Sequence, residues 1–319
     1  MYIVPESAIA GLLTREACFS AVEAVFVSMA EGRARNFPVI REQLGHADAI
    51  YGFKSGFDRQ SGALGLKSGG FWPGNAARGL TNHQSTIVLF EADTGQVKAV
   101  VGANLITALR TAAASAVSIR HLAREDAQVL GILGAGHQAT FQLRAALEQR
   151  PFRKVIGWNR DASKLTRLAA VAEEFGLPFE PVSPERLAAE ADVIVTILSA
   201  TAPILPRAGV RPGTHIACMG TDTRGKQEVS TELVAAGKLF TDEIAQSESI
   251  GEFQHAVGAG LIVPADITPL GCVISGAHPG RDNAEDITIY DGTGVALQDL
   301  AVADAVLSAA VASGQALSV

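Results

Sequence analysis

A short apolar stretch, Val129-Leu130-Gly131-Ile132-Leu133, runs directly into Gly134-Ala135-Gly136-His137-Gln138-Ala139, and a helix-forming segment from Thr140 to Arg150 follows. A strand that enters a Gly-x-Gly-x-x-Ala turn and leaves as a helix is the entry to a dinucleotide site. The first glycine makes the tight turn. The second lets the backbone approach a pyrophosphate, and the small third residue lets helix and strand pack closely. The helix N-terminus then faces the phosphate charge. Alone the pattern also describes an ordinary glycine-rich βα turn; the strand before it and the βα units after it give it weight.

Those units continue to about residue 285. Val155 to Trp158 reads as a strand ending at Asn159-Arg160, and Ala162 to Phe175 as a helix stopped by Gly176. Asp192 to Leu198 is a buried strand followed by Ser199-Ala200-Thr201, and Thr214 to Met219 is another, closed by Gly220. Continuous apolar strands separated by helices imply a parallel sheet covered on both faces. The fold expected is α/β: a Rossmann-type doubly wound domain over residues 120–285, plus a smaller, discontinuous α+β substrate-binding and dimerisation domain. Residues 1–119 and 286–319 make up the smaller domain. It starts with an amphipathic helix from Arg15 to Gly32, continues through glycine-rich hairpins, and ends with the helix Val295 to Ala312.

Composition narrows the class. The net charge of −7 argues against a nucleic-acid surface. Cys18, Cys218 and Cys272 lie far apart, so neither a disulfide framework nor a metal site is signalled. No apolar run reaches the length of a membrane span, and the N-terminus has no basic-then-apolar leader. A cytoplasmic enzyme without a metal is the expectation.

Ligands of a doubly wound sheet bind beyond the carboxyl ends of its strands. Four segments are expected there: the Gly134 turn, Ser199 to Thr201, Met219 to Asp222, and Gly292-Thr293. The smaller domain offers Arg41, Lys54, Lys67, Arg78 and Arg110, any of which taken singly could be a solvated surface group. Arg110 differs because it interrupts a run of small residues, Ala108-Leu109-Arg110-Thr111-Ala112-Ala113-Ala114. A cation on so tightly packing a helix needs a partner, and a bound anion would supply one. Asp222 follows a buried strand and could exchange a proton near a nicotinamide, although a turn-capping role is open to it too. Lys226 could reach a phosphate or hold Asp222 ionised. At the end of the second strand, Asn159 can bond a ribose hydroxyl and Arg160 could accept a 2′-phosphate. NAD is therefore expected, with NADP use left open.

Taken in order, Gly65-Leu66-Lys67, Leu105 to Ala114, Gly131 to Ala139, Gly220 to Glu228, Gly251-Glu252 and Asp286 to Gly294 resemble the ornithine cyclodeaminase/mu-crystallin family over nearly the whole chain. That family also contains archaeal alanine dehydrogenases and ketimine reductases. The resemblance implies that Arg41 and Arg110 clamp a substrate carboxylate, that Lys67 contacts substrate and takes part in proton transfer, and that Asp222 is the acidic catalytic residue. It implies a cofactor whose pyrophosphate is held by the backbone of His137 and Gln138, at the Gly134-x-Gly136 turn already read from the motif, with Asn159 at the adenosine ribose, next to Arg160. Ser199, Met219, Lys226, Gly292 and Thr293 would line the rest, and Arg110 would reach the cofactor as well. It also implies a homodimer joined through the smaller domain.

The chain departs from the family pattern at Tyr51-Gly52-Phe53-Lys54-Ser55-Gly56. Many relatives have a Met-Pro segment near here and cyclodeaminases a glutamate, whereas this chain adds the charge of Lys54. Four cations suit two carboxylates better than a diamino acid. The activity implied is reduction of a small anionic imine, with iminosuccinate the expected substrate and L-aspartate the product. Three alternatives remain: an ornithine cyclodeaminase that recycles bound NAD, an alanine dehydrogenase or cyclic ketimine reductase, and a non-enzymatic ligand binder.

Overall fold

The computed structural model describes residues 1–319, which form two compact units: Met1–Arg110 with Val295–Val319, and Thr111–Gly294. The divisions fall at Arg110/Thr111 and Gly294/Val295, where the sequence reading placed them at 119/120 and 285/286. The first division lies inside one continuous helix, Asn104–Leu122, which no sequence punctuation interrupts. The second lies after the strand Thr288–Asp291, which pairs with His215–Cys218 and Lys238–Thr241.

In the first unit a twisted sheet runs in the order Leu317–Ser318, Tyr2–Val4, Val97–Gly102, His83–Phe90, Leu64–Phe71, Ile50–Asp58, Ala34–Asn36, with Ile40–Gln43 also on Ile50–Asp58. The four central strands are antiparallel neighbours and alternate covered and open side chains. The covered face carries Gly56, Gly65, Lys67, Ile87, Leu89, Ala99 and Val101, and the helix Ala296–Ala312 lies on it. Glycine permits that close approach. A Cβ on Gly65 would lie 2.9 Å from Leu300 Cδ2, and one on Gly56 3.1 Å from Leu297 Cδ2.

The helix Asn104–Leu122 begins on a carboxylate. Glu6 Oε2 accepts from the Asn104 N–H at 2.9 Å, and Glu6 Oε1 from the Leu105 N–H at 2.8 Å. Two of the helix's otherwise unpaired first amides are thereby satisfied, and the negative charge sits at the positive end of the dipole. Gly102 is required there because a Cβ would lie 2.6 Å from Glu6 Cα. This anchorage fixes where Arg110, two turns on, emerges.

The second unit is a fully parallel eight-stranded sheet in the order Phe179–Pro181, Lys154–Trp158, Val129–Leu133, Val193–Thr196, His215–Cys218, Thr288–Asp291, Lys238–Thr241, Ile267–Pro269. From Val129–Leu133 the chain proceeds through Lys154–Trp158 and Phe179–Pro181 on one side and through Val193–Thr196 and His215–Cys218 on the other, where the last strand, Thr288–Asp291, is inserted before Lys238–Thr241; the doubly wound switch point lies between Val129–Leu133 and Val193–Thr196. The sequence reading had no strand at Thr201–Leu205, which pairs with Gln227–Val229 in a separate two-stranded ribbon. That segment contains Pro203 and is largely exposed, so no apolar periodicity marks it.

Candidate active site

At the switch point Gly134 takes φ +112°, and a Cβ there would lie 2.5 Å from Ile197 O, so only glycine makes this turn. Its N–H donates to Trp158 O at 2.8 Å. Asn159 Oδ1 accepts from the Ala135 N–H at 3.1 Å while Asn159 Nδ2 donates to Asp161 O at 2.8 Å, tying the turn to the end of the second strand. Gly136 is constrained differently: a Cβ there would meet nothing within 4 Å. The protein leaves that space open, and the backbone N–H groups of Gly136, His137 and Gln138 take no acceptor within the chain. Gln138 Oε1 is buried without a hydrogen-bond partner. Open room, unpaired amides at a helix N-terminus and an orphaned amide oxygen suit a dinucleotide pyrophosphate. Arg160 is exposed beside Asn159.

Two carboxylates buried behind the strand ends hold the neighbouring loops. Glu228 accepts from Thr196 Oγ1 at 2.7 Å, the Leu198 N–H at 2.6 Å and the Gly220 N–H at 2.8 Å, and so joins the carboxyl ends of two adjacent strands. Glu252 accepts from the N–H groups of Glu228 and Val229, both at 2.8 Å, and from the Thr221 hydroxyl. Burial pushes Glu228 up to about 7. Burial, and then the charge of Glu228, pushes Glu252 up to about 8. The loops so held carry exposed Ser199, buried Met219 and half-buried Asp222. Asp222 Oδ1 lies 2.7 Å from Lys226 Nζ. A Cβ on Gly292 would lie 2.5 Å from Met219 Cε, so Gly292 and Met219 are in contact. Thr293 is buried, its N–H and hydroxyl donating to Asp242 Oδ1 at 3.0 and 2.6 Å.

In the first unit the cations gather round one acid. Lys67 Nζ lies 2.7 Å from Asp299 Oδ2, Arg110 Nε donates to Asp299 Oδ1 at 2.9 Å, and Arg110 Nη1 donates to Gln298 Oε1 at 3.0 Å. The sequence reading expected a bound anion as the partner of Arg110. The structure supplies Asp299, fully buried on the covering helix, and leaves Nη2 as the remaining donor nitrogen. Burial raises the Asp299 carboxyl, but Arg110 and Lys67 outweigh it and hold it below its ordinary value. Lys67 moves the other way: burial, then repulsion from Arg110, lowers its ammonium to about 7 against the pull of Asp299. Lys54 pairs with Lys67 across the strands and adds to that repulsion. Arg41, on an exposed strand, is in register with Gly52. Arg78 sits on an exposed 3₁₀ turn outside this cluster.

Asp299 and Gln298 were missed from sequence, although the signal that marked Arg110 marks them too. Asp299 is a charge inside Val295-Ala296-Leu297-Gln298-Asp299-Leu300-Ala301-Val302, where a buried carboxylate needs a buried cation.

The ornithine cyclodeaminase/mu-crystallin family model matches residues 3–314. An iminosuccinate reductase of Paracoccus denitrificans is 59% identical over 319 residues, covering 100% of this chain and 99% of the relative. The crystal structure of the Paracoccus denitrificans iminosuccinate reductase in complex with NAD+ superposes with a TM-score of 0.96 over 99% of this chain and 98% of that one. An archaeal alanine dehydrogenase dimer with bound NAD, 30% identical, gives a TM-score of 0.94 over 100% and 99% of the two chains. The chain belongs to the ornithine cyclodeaminase/mu-crystallin family.

Proposed function

We propose that this chain is an NADH-dependent imine reductase that converts iminosuccinate to L-aspartate. One observation carries the reading: a buried lysine, Lys67, that is lowered to about 7 and paired with Asp299 beside Arg110 and Lys54, in a chain 59% identical end to end to an iminosuccinate reductase. A dicarboxylic imine needs two anion-binding ends and one proton donor, and these residues supply both functions.

Bound NADH supplies the hydride, which adds to the imine carbon. The chain's own groups do the rest. Arg41 and Arg110 hold carboxylate, arginine being suited to two-point capture, and Lys54 adds positive charge to the pocket. Lys67, as the ammonium, gives its proton to the imine nitrogen as the carbon–nitrogen double bond is reduced, leaving the amine of aspartate and a neutral lysine that water reprotonates. An acid whose affinity for protons is matched to neutral pH is suited to that transfer. Asp299 aims both Lys67 and Arg110. Asp222, held by Lys226, is the second acidic group of the reaction. On the dinucleotide side, Gly134, Gly136, His137, Gln138, Asn159, Ser199, Met219, Lys226, Gly292 and Thr293 hold the cofactor. Arg160 is the residue that would admit a 2′-phosphate.

A homodimer is part of the same proposal. Ile40, Tyr51 and Phe53 are apolar, more than a third exposed, and lie on the sheet face opposite Lys67. The archaeal alanine dehydrogenase relative is itself a dimer. No helix is long and apolar enough to cross a membrane, and the cytoplasm is the compartment proposed.

The test is product identification with purified protein, NADH, oxaloacetate and ammonia. L-Aspartate formed in step with NADH oxidation supports the reading. Absence of aspartate, with proline released from ornithine without net NADH change, replaces it with cyclodeamination.

A further inference from the structure

The sheet face that carries Lys67 extends beyond the four cations. Arg41 is in register with Gly52, Gly52 with Gly69, and Gly69 with Ser85. Paired residues of antiparallel strands project to the same face, so Arg41, Gly52, Gly69 and Ser85 form one row across four strands. The row on one side holds Lys54, Lys67 and Ile87, and the row on the other holds Ile50, Phe71 and His83. The two central glycines therefore floor a trough with Arg41 at one end and Ser85 at the other.

That floor has to be bare. A Cβ on Gly52 would lie 2.0 Å from Ile40 O, and one on Gly69 2.3 Å from Gln84 O. With neighbouring strands about 4.8 Å apart, the Cα atoms of Arg41 and Ser85 are separated by roughly 14 Å. A four-carbon diacid, with about 4 Å between its carboxyl carbons, fits that length once the end side chains reach inward.

The end opposite Arg41 has its own donors. Ser85 is fixed by its N–H, which donates to Asn104 Oδ1 at 2.8 Å, and its hydroxyl lies 3.3 Å from Thr107 Oγ1. His83 is half-buried, and its carbonyl accepts from Thr81 Oγ1 at 2.8 Å. Its ring makes no hydrogen bond within the chain. Burial, then the charge of Lys67, holds this imidazole down to about 4, with Arg110, Asp299 and Arg41 also acting on it. It is thus an uncharged ring with a free N–H beside a cation cluster.

We infer that His83 is a specificity-determining residue: its ring N–H, with the Ser85 hydroxyl, closes the trough opposite Arg41 and binds the side-chain carboxylate of a four-carbon imino acid. The inference rests on the imine reductase reading and adds what distinguishes a dicarboxylic from a monocarboxylic imine. A site that hydrogen-bonds a substrate group discriminates strongly against an analogue lacking it, because its own polar groups are then left unpaired.

The experiment compares kcat/KM for the imine of oxaloacetate with that for the imine of pyruvate, in wild type, His83→Leu and Ser85→Ala. NADH binding by fluorescence serves as the check of folding. The expected result is a fall in the oxaloacetate-to-pyruvate ratio of roughly 100-fold for His83→Leu and about 10-fold for Ser85→Ala, mainly through KM. An unchanged ratio in every variant that binds NADH overturns the assignment. If His83→Leu does not bind NADH, Ser85→Ala decides alone. Wild type that forms no aspartate from the oxaloacetate imine overturns the reductase reading itself, which is a separate outcome.

Discussion

Lys67 Nζ and Asp299 Oδ2 stand 2.7 Å apart, although their residues are far apart in sequence and one sits on a strand, the other on the covering helix. The same carboxylate takes Arg110 Nε at 2.9 Å. Removing one member of a buried pair leaves an uncompensated charge and costs about 3–5 kcal/mol. Asp299→Asn should therefore lose stability of that order in urea unfolding. It should also lower kcat/KM about 100-fold, because both cations lose the group that aims them. A variant with wild-type stability and activity would show that Asp299 does neither.

The pH dependence of the reaction follows from Lys67. Burial and Arg110 lower its ammonium to about 7, so imine reduction, which needs the protonated form, should fall as pH rises through about 7. Oxidation of aspartate needs the neutral amine and should rise through the same pH. Lys67→Arg, which cannot titrate there, should lose the break in both directions along with most of the rate. Profiles of kcat/KM at fixed imine concentration check this, and an unmoved break in Lys67→Arg would assign the titration to another group.

Stability should vary with pH because of the two buried glutamates. Burial raises Glu228 to about 7 and Glu252 to about 8, each from an ordinary 4.5 in the unfolded chain. Between those values the folded chain binds more protons than the unfolded one, so stability falls as pH rises. Lys67, lowered in the folded chain, has the opposite sign above about 7, and His83 and His215, lowered by burial, have that sign up to the ordinary 6.5 of an unfolded histidine. Relative to wild type, Glu252→Gln should therefore lose less stability, or gain more, as pH rises from about 5 to about 7. A Glu252→Gln melting-temperature profile that runs parallel to wild type over this interval contradicts the protonated pair.

Gly134 and Gly136 should fail in different ways. Gly134→Ala meets Ile197 O at 2.5 Å with a left-handed φ and should cost about 1–3 kcal/mol of stability. Gly136→Val points its side chain into open space, so its melting temperature should stay near wild type while NADH affinity falls about 10-fold or more. Thermal melts and NADH titration of both variants separate the two effects, and equal NADH affinity in Gly136→Val and wild type would remove the pyrophosphate from that space.

Local signals made the parallel sheet legible: the run Val129–Leu133, the Gly134 turn and the buried strand Val193–Thr196 each announce themselves within a few residues. The family was legible from short motifs in fixed order. What sequence hid is long-range pairing. Nothing near Lys67 or Arg110 points to Asp299, because the contact exists only once the helix Ala296–Ala312 lies on the glycine-rich face of the sheet. Gly52 and Gly69 read as hairpin residues, and their place in one row with Arg41 and Ser85 depends on strand register, which glycine-rich strands specify weakly. Glu228 was read as part of a family motif, and its reach to Leu198 and Gly220 needs the folded strand ends.

Transfer of label from deuterated NADH tests the central claim most directly. With iminosuccinate as substrate and NADH carrying deuterium at both C4 positions, mass spectrometry should find one deuterium at the α-carbon of the L-aspartate formed and one left in the oxidised cofactor. Aspartate without deuterium, or a cofactor that keeps its full label while ornithine is converted to proline and ammonia, would contradict a reductase that passes hydride to a dicarboxylic imine.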